Sequence, residues 1–207
     1  MLIRANCSFV GMNYLGHAYL SFDHHEILVG NMISDFIKGK QRFVFSGNIQ
    51  KGIELHRNID EFTDHHPVTK KAMDIFRPAY RLYSGPIVDI LYDHFLANNE
   101  EIFSDISLKS FTAAVYKKLE NHASELPQRF LLAFSYMRAE DWLYNYRFQR
   151  GMKKSLGGLV RRATYLSESD TAYNLFLEHY VLLNSYFREF FQDVKQFAKQ
   201  RFEELVL

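Results

Sequence analysis

An all-α fold is what this sequence predicts, and three observations carry that expectation. Apolar residues recur at i, i+3 and i+4 along most of the chain. No alternating β-branched run is bounded by an Asn-Gly or Asp-Gly turn. Only four prolines and ten glycines occur in 207 residues, none in a low-complexity run, so no linker divides the chain. The expectation is one helical bundle over residues 12–207. Residues 1–11 read as an N-terminal extension, either an upstream start or a frayed tail, because Met12 opens a better patterned segment.

Taken in order, Asn13–Phe22 is a short apolar helix carrying His17, and the second helix spans about Glu26–Lys38 before Gly39 stops it. Asn31 and Asp35 lie one turn apart on a narrow polar stripe of that helix. After the Ser46-Gly47-Asn48 loop comes a helix ending near Asp64. Pro67 then starts a helix that runs to Tyr83 with a kink at Pro78. Gly85–Asn98 is apolar except for Asp89, Asp93 and His94. Ser107–His122, Pro127–Arg147, the basic Arg150–Tyr165 and the long Asp170–Leu207 complete the helices. Nineteen Phe and thirteen Tyr at helical spacing read as core packing.

The third of these helices is the most informative. At about 100° per residue, with His56 at zero, Ile49, Ile53, Leu55, Ile59 and Phe62 fill an arc from roughly −120° to +60°. Lys51, Glu54, Asn58 and Glu61 take the opposite side, yet His56 and Asp60 fall inside the apolar arc. A carboxylate that points into apolar surroundings needs a partner. An isolated His–Asp pair at i,i+4 reads first as a structural hydrogen bond. Here the inward polar residues His17, Asn31, Asp35, His56, Asp60, Asp89, Asp93 and His94 come from four helices. Imidazoles and carboxylates without cysteine suit Mn²⁺, Mg²⁺, Fe²⁺ or Zn²⁺ in a hydrolytic site rather than structural zinc. His65 and His66, at a helix end beside Pro67, read as exposed, and His24, His25, His122 and His179 as surface or packing histidines.

A net charge of +1 demands neither nucleic acid nor an anionic membrane as partner, and no apolar run reaches the length of a membrane span. The lone Cys7 has no partner for an intramolecular disulfide and the first residues lack a signal-peptide core, so the expected location is cytoplasmic. Phosphate-binding glycine loops and a GxSxG nucleophile motif are absent.

NYLGH at 13–17, GNMISDF at 30–36, GIELHRNIDEFTD at 52–64 and YDHFL at 92–96 resemble, in order and spacing, the motifs of the acyl carrier protein phosphodiesterase family, distant relatives of HD-domain phosphohydrolases. The resemblance implies an HD-domain-like helical fold. It also implies manganese- or magnesium-dependent release of 4′-phosphopantetheine from the serine of holo-acyl carrier protein. Carried over residue by residue, it implies metal ligation by Asp35, His56, Asp60 and Asp93, and catalytic roles for His56, Asp60, Asp93 and His94. His17, Asn31, Arg57, Asp64 and Asp89 stand behind them or toward substrate. The Asp93-His94 pair runs in the reverse of the usual HD order, and Gly16 stands where the family commonly has Ala, which loosens the first helix. Because acyl carrier proteins are acidic, Lys38, Lys70, Lys71, Arg77 and Arg81 become the expected partner-binding residues, helped by Lys40 and Arg42. The competing readings are an HD-type phosphohydrolase of a nucleotide or other small phosphoester, using the same cluster, and a helical binding module whose His–Asp pairs are structural.

Overall fold

A computed structural model describes residues 13–207, all of whose regular structure is helical. The expected extension at residues 1–11 lies outside the described residues. The α-helices are α1 (Tyr14–Tyr19), α2 (His25–Ile33), α3 (Gly47–His65), α4 (Pro67–Tyr80), α5 (Ser84–Ala97), α6 (Asp105–Asn121), α7 (Gln128–Ala139), α8 (Trp142–Asn145), α9 (Gln149–Arg162), α10 (Asp170–Glu178) and α11 (Tyr180–Val206). Short 3₁₀ turns at Ser34–Phe36, Gly39–Val44, Arg81–Tyr83 and Ala123–Glu125 join some of them.

Helices α2 and α3 form the most intimate pair, and α11 lies across α3 and α4. Their closeness has a local cause. A Cβ on Gly30 would sit 2.1 Å from the Ile49 carbonyl oxygen and 2.8 Å from the Gly52 Cα, and one on Gly52 would sit 2.3 Å from the Ile27 oxygen. The two backbones therefore touch at a point where no side chain fits. Around this crossing Ile27, Val29, Ile33, Ile49, Ile53 and Leu55 are buried completely. The aromatic residues pack as expected: Phe76, Phe130, Phe176 and Phe187 are fully buried.

Five element boundaries differ from the sequence expectation. Helix α2 stops at Ile33, and the tighter 3₁₀ turn that follows leaves Asp35 half-buried rather than on a continued helix face. Gly39 does not merely stop a helix; it takes a left-handed φ of 52° and opens the next 3₁₀ turn. Helix α4 ends two residues beyond Pro78, which has no N–H for the preceding turn. The stretches expected as single helices at 127–147 and 170–207 are each broken, the first at Asp141, whose φ of 46° a short polar side chain tolerates, and the second at His179. The second break lets α10 pack on α4 and α9 while α11 covers α3 and α4.

Replacing Gly30 or Gly52 by Ala is expected to destabilise the protein by about 1–3 kcal/mol through overpacking. Urea denaturation of both variants checks this, and unchanged midpoints would show that the helices part without cost.

Candidate functional site

The α2–α3 contact brings the inward polar residues of both helices together. One residue beyond Gly30, Asn31 is completely buried and holds two imidazoles at once. Its amide nitrogen donates to the His17 carbonyl and to the Ser21 hydroxyl, each at 3.0 Å, which fixes the amide orientation. Its side-chain oxygen is thereby left to accept from His17 Nδ1–H at 2.7 Å. Its backbone carbonyl accepts from His56 Nδ1–H, also at 2.7 Å. The two rings stack with centroids 4.0 Å apart. With both Nδ1 atoms committed as donors, both Nε2 atoms carry the free lone pair in the neutral tautomer.

Both Nε2 atoms face Asp60, at 3.1 Å from His17 to Oδ1 and 3.1 Å from His56 to Oδ2. Asp35 adds Oδ1 at 3.3 Å from His56 Nε2. Lone pairs opposed to carboxylate oxygens require a proton or a cation between them. One ligand atom each from His17, His56 and Asp60 lies within 4.8 Å of the others, so the group is compact enough for one metal ion.

The charges follow from these neighbours. Burial alone would lower both imidazoles, and it does lower His17, with the charge of His56 adding to the effect. For His56 that desolvation is overcome by Asp60 and Asp35, which lift its pKa well above the usual histidine value. Burial alone would raise Asp60, but His56 and His17 hold its carboxyl well below the usual range. Asp89 responds oppositely: burial and the neighbouring charges of Asp60, Asp64, Asp93 and Asp35 push it well up. Asp64 is raised by burial and by Asp60.

The structure brings His17, Asn31, Asp35, His56 and Asp60 together, with Asp89 and Asp64 electrostatically coupled to them. It does not bring Asp93 and His94 into the donor group. Both Asp93 oxygens accept backbone N–H groups at the start of α1, from Leu15 at 3.0 Å and Gly16 at 2.8 Å. His94 donates from Nδ1 to the Tyr146 carbonyl at 2.7 Å and accepts the Tyr180 hydroxyl at Nε2, 3.3 Å away. Asp93 therefore pins the turn that carries His17, and His94 ties α5 to α11. Gly16 also has a part in this contact: a Cβ there would stand 3.3 Å from Asp93 Oδ1, so the glycine lets the carboxylate approach closely. Arg57 is exposed on the outer side of α3 and reaches the Ile37 carbonyl at 3.4 Å. His66 is not a bare surface residue, since it caps α4 and packs on Phe62 and Phe190. Sequence reasoning placed His17 behind the donors and missed Ser21; the His17–Ser21 spacing of one turn was its only signal.

Without a bound cation, these charges make stability depend on pH. His56, raised on folding, contributes stability that is complete below about pH 6.5 and is lost as pH rises through its higher folded value. Asp93, which burial raises to about 8 against the pull of the Leu15 and Gly16 donors, acts in the same direction. Asp60, lowered on folding, contributes stability that is present above about pH 3.9 and lost only as pH falls through its depressed value. Urea denaturation in a chelator should therefore show stability falling as pH rises above about 6.5, and less steeply in His56→Asn. A flat or rising profile would contradict the charge assignment.

Similarity to known proteins runs over nearly the whole described chain. A family model described as acyl carrier protein phosphodiesterase matches residues 12–194. Among curated relatives, the acyl carrier protein phosphodiesterase of Photorhabdus laumondii subsp. laumondii is 28% identical over 191 residues, covering 92% of this chain and 96% of the relative. That of Escherichia coli O6:H1 is 30% identical over 192 residues, covering 92% and 99%. The Shigella boydii serotype 18 protein of the same name is 30% identical over 182 residues, covering 87% and 94%. No solved structure is found to match, so the all-helical architecture stands without a structural relative to support the HD-like label. With the family model spanning every element that builds the His17–His56–Asp60 group, this chain belongs to the acyl carrier protein phosphodiesterase family.

Proposed function

We propose that this chain hydrolyses the phosphodiester joining 4′-phosphopantetheine to the serine of holo-acyl carrier protein, giving the apo form. The observation that carries the chemistry is the Asn31 clamp, which turns two imidazole Nε2 lone pairs onto one carboxylate. The relatives, acyl carrier protein phosphodiesterases by name, supply the substrate. An HD-type phosphohydrolase of a small phosphoester would use the same donors, and the family match favours the protein substrate.

The donor set fits a divalent cation, which we take to be Mn²⁺ with Mg²⁺ as the alternative. His17, His56 and Asp60 would hold it, with Asp35 completing the set. Such a cation supplies an activated water and neutralises phosphoryl oxygens. The protein's own residues do the rest. Asn31 keeps both rings in one tautomer. Asp89, whose carboxyl burial and its acidic neighbours push well up, can donate a proton to a departing serine oxygen. Asp93 and His94 act as positioning residues through α1 and α11. Asp64 and Arg57 are exposed on the same helix, within reach of a docked protein substrate.

Substrate docking is assigned to the exposed basic residues. Lys38 and Lys40 follow Asp35 directly, Arg42 lies beside them, and Lys70, Lys71, Arg77 and Arg81 line the outer face of α4 and the turn after it. Arg77 also pairs with Asp74 at 2.7 Å. Exposed charges of this kind act mainly on association rate and are screened by salt.

His56→Ala and Asp60→Ala are each expected to cost at least about 100-fold in apo-protein formation, read by mass spectrometry of holo-acyl carrier protein incubated with Mn²⁺. Near-normal turnover in either variant, or full activity in a chelator, would remove α3 from the chemistry. Reversing Lys70, Lys71 and Arg77 to Glu should raise KM for holo-acyl carrier protein and flatten its salt dependence, while cleavage of a small model phosphodiester barely changes. Equal losses on both substrates would place the docking surface elsewhere.

A further inference from the structure

A second concave site, sharing no residue with the His–Asp group, lies over α9. That helix carries Arg150, Lys153, Lys154, Arg161 and Arg162 and no acidic residue. A plain solvated basic helix would spread these charges over a convex surface. Here a cavity of about 240 Å³ is instead lined by Lys154, Ser155, Arg161 and Arg162, with Glu140 and Trp142 opposite.

The floor of the cavity explains why cations gather there. A Cβ on Gly158 would lie 3.6 Å from Arg161 Nη2 and 3.8 Å from both terminal nitrogens of Arg162, so two guanidinium groups overhang one point that carries no side chain. A Cβ on Gly157 would likewise lie 3.6 Å from Arg161 Nη1. Gly151, in the same lining, is forced by packing instead, since its Cβ would meet the Asn145 carbonyl oxygen at 1.8 Å. The one lining carboxylate, Glu140, is engaged by Lys154 Nζ at 3.2 Å and by the Trp142 indole N–H at 3.3 Å. Beside that Lys154–Glu140 pair, the guanidinium groups of Arg161 and Arg162 meet at the same cavity. Like charges held this close repel, and an oxyanion between them reverses the sign of that term. Guanidinium forks match phosphoryl oxygens in geometry as well as charge.

We infer that this cavity binds a small hydroxylated phosphomonoester, with Arg161, Arg162 and Lys154 around the phosphoryl group and Trp142 and Glu140 toward the attached ring. Size argues for a single phosphate with one ring, because drug-sized ligands occupy roughly 300–1,000 Å³. A flat indole wall suits a sugar or base ring, and Glu140 offers an acceptor to a ligand hydroxyl.

Trp142 is the only tryptophan in the chain, so its fluorescence reports on this cavity directly. Titration with ribose 5-phosphate, in a chelator and at constant ionic strength, should give a saturable change with a dissociation constant of about 10 µM–1 mM. The pair Arg161→Gln and Arg162→Gln should weaken binding at least about 10-fold. Gly158→Ala should also weaken it; the added methyl meets its neighbours at ordinary contact distance, so that variant tests the floor without unfolding the helix. Asp60→Asn should leave binding unchanged, which separates this site from the proposed hydrolytic one. Absence of saturation, an equal response to ribose, indifference to the arginine changes, or loss in Asp60→Asn would each overturn the inference.

Discussion

The structure depends on one contact, the approach of α2 and α3 at Gly30 and Gly52. At that point the two backbones are so close that a methyl group on either residue would overlap the other helix. Everything polar in the candidate site is measured from it. Asn31 is the next residue on α2, and His56 lies one turn beyond Gly52 on α3. The 2.7 Å bond from His56 to the Asn31 carbonyl exists because no side chain separates the backbones. The 3₁₀ turn at Ser34–Phe36 belongs to the same arrangement, since it leaves the tight crossing with Asp35 against His56.

The second layer of organisation is the fixed direction of the histidines. Buried imidazoles lose solvation, so each needs a partner for its N–H, and Asn31 supplies both from one residue. That leaves two lone pairs and the carboxylates of Asp60 and Asp35 facing each other. In the metal-free protein the proton on His56 holds the group together, and its raised pKa is the measure of that attraction. A divalent cation would do the same work at any pH where the rings are neutral. Asp93 acts at one remove: by accepting the N–H groups of Leu15 and Gly16, it anchors a six-residue helix too short to hold its own position.

The all-helical class, the membership of His17, Asp35, His56 and Asp60 in one polar group, and the family were legible in the sequence. The reason is periodicity: a charged residue inside an apolar arc is visible from spacing alone, and His56 and Asp60 broke the pattern of their own helix. Asp93 and His94 broke their pattern equally clearly, yet spacing cannot say what an inward polar group meets. Asp93 met two backbone N–H groups and His94 met Tyr146 and Tyr180, partners whose sequence separations of 52 to 86 residues carry no local signal.

Helix boundaries set the other limit. The break at His179 and the turn at Asp141 leave runs of good helix formers on either side, so local propensity favours continuation and only packing against α4 and α9 decides otherwise. By itself the sequence determined that this chain folds as helices around a core of aromatic and aliphatic side chains, and that imidazoles and carboxylates enter that core. Tertiary structure alone decided which of them face one another, because that depends on where two glycines let two helices touch.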